Sequence, residues 1–109
     1  MIDTDACREI IQTYVKHGWL LRRVLLTAKL RKSLGEASDE LFGDVPLRNS
    51  DIDAAWFSRP PQHGEIAWEI RHLSETPYAL LEYANEKAGD FEKKLHEVET
   101  RLMKTCSKK

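Results

Sequence analysis

The residues best suited to chemistry fall in one stretch of the chain. Trp56, Phe57 and Arg59 are followed by Trp68, Glu69, Arg71 and His72, and then by Tyr78, Glu82 and Tyr83. Trp, Tyr and Arg carry most of the binding energy at protein interfaces, and Arg also grips planar carboxylates and phosphates. Six residues are the candidate binding set: Trp56, Arg59, Glu69, Arg71, His72 and Glu82. A general base at His72 would need an orienting carboxylate. Glu69 cannot serve if both lie on one strand, because residues three apart point to opposite faces.

No catalytic set assembles elsewhere. Ser58 sits in Phe57-Ser58-Arg59 without the glycines of a nucleophile elbow. The five glycines are scattered at 18, 35, 43, 64 and 89, so no phosphate-cradling loop is present. His17, His63 and His96 show no convergent metal spacing. Cys7 and Cys106 fall on apolar helical stripes and are expected as buried free thiols. No catalytic residue, metal or cofactor is therefore assigned, and the balance leans away from an enzyme.

A second constellation is electrostatic. The net charge of −1 hides a segregation. Residues 51–90 carry a net −5 and residues 91–109 a net +3. No acid occurs between Glu9 and Glu36, whereas segment 16–32 holds Lys16, Arg22, Arg23, Lys29, Arg31 and Lys32. Arg22, Arg23, Lys29, Arg31 and Lys32 could neutralise the phosphates of a nucleic acid. The isoelectric point near 6.4 is not that of a dedicated nucleic-acid domain. Opposed charge blocks also suit self-association.

The elements that must position these residues follow from periodicity. Cys7, Ile10, Ile11, Tyr14 and Val15 make one apolar stripe of a helix over 4–17, capped by Asp3 or Thr4 and stopped at Gly18. Residues 19–34 read either as a strand at 19–26 plus a short helix at 28–34, capped by Thr27, or as one helix. Residues 36–51 read as irregular, with one helical turn at 38–42 and turn chemistry around Gly43, Pro46 and Asn49. Residues 53–83 read as an antiparallel meander. Its strands are 54–58, 66–73 and 78–83, linked by a loop at 60–64 and a turn at 74–77. Ile66, Trp68, Ile70 and His72 share one face of the middle strand, opposite Glu69 and Arg71. Asp90 caps a last helix over 91–105 with the stripe Phe91, Leu95, Val98, Leu102 and Cys106.

These elements predict an α+β fold over 1–109, a single compact domain with a frayed tail. It has a three- to four-stranded antiparallel sheet, with the N- and C-terminal helices packed on one face. No apolar run is long enough to cross a membrane and no secretory signal opens the chain, so a cytoplasmic setting is expected. The leading functional expectation is a small non-enzymatic protein-interaction module or accessory subunit that binds a protein partner or self-associates as a homodimer. The alternatives are nucleic-acid binding through 16–32, and a small domain or enzyme that binds an anionic ligand.

Overall fold

The computed structural model describes residues 2–59, 66–74, 79–84 and 87–107. The expected loop at 60–64, residues 75–77 of the expected turn, and Tyr78 lie outside the described residues. Helix α1 (Thr4–Lys16) leads into strand β1 (Leu20–Leu26). Helices α2 (Ala28–Leu34) and α3 (Ala37–Phe42) precede the short strand β2 (Leu47–Asn49). Strands β3 (Ala54–Arg59), β4 (Ile66–His72) and β5 (Ala79–Ala84) follow, and helix α4 (Phe91–Ser107) ends the fold.

Local chemistry explains the boundaries. The Asp3 carboxylate accepts from the Ala6 amide at 2.8 Å and starts α1. Gly18, at φ 90°, takes the chain out of α1 through a conformation that side chains disfavour. Thr27 ends β1 and caps α2, its hydroxyl accepting from the Leu30 amide at 3.2 Å. Segment 19–34 is thus a strand followed by a short helix.

The sheet runs β2-β1-β3-β4-β5. The meander β3-β4-β5 and the β1–β3 pair are antiparallel, as expected. The fourth neighbour was not expected: β2 pairs parallel with β1, Val24 beside Leu47. Parallel neighbours need a crossover, and two helices supply it: α2, the short helix expected at 28–34, and α3, from the stretch read as irregular. The fold is α+β, with a five-stranded mixed sheet in place of three or four antiparallel strands.

The terminal helices lie on opposite faces, not on one. Leu95, Val98 and Leu102 of α4 pack with Phe91 against Trp56, Trp68 and Ile70. Cys7 of α1, Leu30 and Leu34 of α2 and Phe42 of α3 pack against Val24, Leu26, Ala55 and Phe57. The physical reason is β3. Alternate residues of a strand point to opposite faces, and Ala54 to Ser58 are all buried. A strand buried on both sides needs a layer on each.

Candidate functional site

The six candidate binding residues divide between the two faces. Trp56, His72 and Glu82 point toward α4, whereas Arg59, Glu69 and Arg71 point toward α1. The cross-strand partners are not charge pairs. Arg59 lies beside Ala67, Arg71 beside Ala79, and Glu82 beside Trp68.

Trp56 is not a surface residue. It is 0% exposed, and its indole N–H donates to Glu99 Oε2 at 2.7 Å. Glu99 is itself buried on α4, so the pair closes a polar contact inside the core. Truncating Trp56 would empty that core and would not probe an interface. Trp68 stands beside it at 6.3 Å, edge to face, also buried.

Arg59 is exposed, its guanidinium 5.3 Å from the Trp19 ring. Glu69 accepts a hydrogen bond from the Tyr14 hydroxyl. Burial, and then that hydrogen bond, push the Tyr14 hydroxyl well above its usual range. Tyr14 also stacks on Phe57, with ring centroids 4.1 Å apart. Arg71 donates to the His72 carbonyl and borders a groove of about 350 Å³ between α1 and β4.

The basic segment does not form one cationic surface. A bulge in β1 inserts Arg22 between the pairs Leu21–Phe57 and Arg23–Trp56. Both arginines consequently face α4. Arg22 lies 4.8 Å over the Trp68 ring and donates to Ser58 Oγ at 3.1 Å. Arg23 makes a two-toothed ion pair with Glu92 at 2.8 and 2.5 Å. That contact, foremost its hydrogen bond, holds the Glu92 carboxyl below its usual range. Lys29, Arg31 and Lys32 ride on α2, across the sheet, where Arg31 donates to Asn49 Oδ1 at 2.9 Å.

Two features remain that the sequence did not single out. The first is the margin of the sheet at β5. On the α1 side, α1 covers β1 and β3, and among the described residues no helix continues over β5. Leu81 and Tyr83 project there, 48% and 52% exposed. They flank the half-buried Glu69 and Ala67 of β4. Among the described residues the outer edge of β5 has no strand partner. On the α4 side Glu82 is half-buried, and Lys94 Nζ reaches the Tyr83 carbonyl at 3.3 Å. The other exposed large apolar side chains, Val15 and Leu20, belong to α1 and β1. Alternation in Ala79-Leu80-Leu81-Glu82-Tyr83 places Leu81 and Tyr83 on one face. It does not say that this face lacks a cover.

The second feature is the end of the sheet where β1, β2 and β4 finish. An open cleft of about 850 Å³ is lined there by Arg31, Lys32 and Asn49, together with Thr27 and Asp51. A smaller cavity of about 170 Å³ adjoins it through the same Thr27 and Asp51 and reaches Asp53, His72 and Cys106. Cys106 Sγ lies 3.4 Å from His72 Nδ1, and Ser74 Oγ lies 3.0 Å from the same nitrogen. Asp53 accepts from the Thr27 amide at 2.7 Å. Cys106 is part-exposed, whereas Cys7 is fully buried. No cluster of three or more metal-ligating side chains occurs among the described residues. No helix there is long and apolar enough to cross a membrane.

Compared with known proteins, the chain matches no family model, no curated protein and no solved structure.

Proposed function

We propose that the protein is an interaction module that self-associates by pairing β5 with β5 of a second copy. The observation that carries this reading is the exposure of Leu81 and Tyr83, side by side on an edge strand with no helix over them among the described residues. An open strand edge is a template for another strand. Strand addition supplies main-chain hydrogen bonds, and the alternate side chains supply specificity.

The occupant is a second copy because β5 is complementary to itself. A two-fold axis through the edge makes the paired strands antiparallel and the contact isologous. On the uncovered face, Leu81 and Tyr83 of each copy meet those of the other. On the opposite face, the same register brings the two Glu82 side chains together, and the flanking Lys94 of each copy offsets their repulsion. Arg101, two helical turns beyond Lys94, extends the same cationic flank. The apolar pair then gains the cover that α1 does not provide. The other edge of the sheet is less suited. β2 has three residues, and Arg48 is exposed on it.

Sedimentation of the intact chain tests the proposal. The unaltered protein is expected to sediment as a dimer, while Leu81→Lys and Tyr83→Lys sediment as monomers with unchanged circular dichroism. Both positions are exposed, so neither variant disturbs the core. A monomer in the unaltered protein would overturn the proposal, as would dimerisation that survives both substitutions.

A further inference from the structure

The sheet end carrying Cys106 is a different site from the β5 edge, and its chemistry is that of a thiol beside an imidazole. His72 closes β4, Cys106 lies in the last turn of α4, and the small cavity opens between them. The Ser74 hydroxyl and the Cys106 thiol, both able to donate, converge on Nδ1. With the ring proton on Nε2, the single lone pair of Nδ1 can accept from either donor, the Ser74 hydroxyl competing with the thiol. Nδ1 is therefore a proton acceptor aimed at the sulfur.

The fold also limits what an oxidised Cys106 could become. Cys7, the chain's other cysteine, is fully buried on the α1 side of the sheet. Cys106 packs on the α4 side. The sheet stands between them, so an internal disulfide would require its disruption. A thiol that is reachable from solvent, and has no internal partner, couples to a sulfur brought from outside.

We propose that Cys106 is a covalent modification site that forms a mixed disulfide with a small anionic disulfide, with His72 as its proton acceptor. The Cys106 sulfur attacks one sulfur of the reagent as its proton passes to His72 Nδ1. The new S–S bond forms while the reagent's S–S bond breaks. The departing thiolate takes the proton from Nδ1 and leaves as a thiol. Cys106 is oxidised, and one sulfur of the reagent is reduced. The anionic preference comes from the adjoining cleft, where Arg31, Lys32 and Asn49 can hold carboxylates against the opposing charge of Asp51 on the same wall.

His72 is needed because the surroundings hold the thiol protonated. Burial raises the Cys106 thiol above its ordinary 9.0. The negative end of α4 disfavours a thiolate as well. Burial likewise lowers His72 below its ordinary 6.5, which keeps the ring neutral near neutral pH but weakens it as a base, so it holds the proton only in passing. The charged groups around the ring are Asp51 and Asp53, from the turn before β3, and Arg71 from β4.

The test uses the full-length protein with oxidised glutathione as the anionic disulfide and hydroxyethyl disulfide as the neutral one. Mass spectrometry follows the rate and position of labelling. One adduct is expected, at Cys106 and absent from Cys106→Ser. In His72→Gln the rate should fall by at least about tenfold and then follow only the ionisation of the thiol with pH. The anionic reagent should outpace the neutral one, and Arg31→Ala with Lys32→Ala should remove that advantage. An unchanged rate and pH profile in His72→Gln, with circular dichroism intact, would overturn the role of His72. Absence of an adduct at Cys106 would overturn the site itself.

Discussion

At the residue scale, burial decides what each polar group can do. The Trp56 indole is fully buried and reaches Glu99, so the carboxylate satisfies an N–H that would otherwise be orphaned. Glu99→Ala should therefore cost about 1–3 kcal/mol by leaving that donor unpaired. Glu99→Gln keeps an acceptor and should retain most of the stability; urea titration of the two variants compares them. Titratable groups give a second test. Burial pushes the Cys7 thiol from 9.0 up to about 11, because the folded state favours its neutral form. The folded chain then holds the proton more tightly than the unfolded one, and stability should fall as pH rises from about 9 to 11. His72 is shifted the other way. Its contribution is present above pH 6.5 and is lost as pH falls below that value. Urea midpoints measured across pH should show both losses. Cys7→Ala should make the alkaline limb shallower, the raised Cys106 and Tyr14 groups accounting for the rest, and His72→Gln should do the same for the acid limb. Composition marked Trp56 and His72 as chemically able and read Cys106 only as a buried thiol. It could not show that Trp56 is sealed in, or that residues 34 positions apart in sequence meet as His72 and Cys106 do.

At the element scale, capping and periodicity carried most of the fold. Asp3, Gly18 and Thr27 mark the boundaries they occupy, and the stripe on α4 is the one that packs. β2 was invisible because three residues hold too little alternation to define a strand, and its pairing depends on a distant β1. The bulge was invisible for a related reason. Strict alternation sends Arg22 and Arg23 to opposite faces, whereas the inserted residue brings both to one. The uninterrupted apolar run Ala54-Ala55-Trp56-Phe57 did contain the clue to helices on both sides, since a strand buried on two faces shows no alternation. On β5 the alternation survives and separates Leu81 and Tyr83 from Leu80 and Glu82. Lysine at either exposed position should leave the thermal midpoint of the monomer nearly unchanged, because surface substitutions away from packed contacts cost little. Leu80, packed against the core, should not tolerate lysine, and thermal denaturation would separate the two classes.

At the scale of the whole molecule, the two helical layers are unequal in position. α4 packs on β4 and β5 from one side, while α1, α2 and α3 serve β1 and β3 from the other. Among the described residues the mismatch leaves one margin of the sheet with an apolar face and an unpaired edge, and the proposed dimer joins two such margins into a continuous sheet. Charge blocks along the sequence pointed toward association but not to its place. Arg22 and Arg23 are engaged within the fold, and the charges at the edge are Glu82 and its flanking Lys94. The central claim is that β5 is where copies meet. Amide hydrogen exchange as a function of protein concentration tests it most directly. Protection at residues 79–84 should rise with concentration while residues 47–49, on the other edge, stay unchanged. Exchange at 79–84 that is the same at every concentration, or a rise confined to 47–49, would contradict the account.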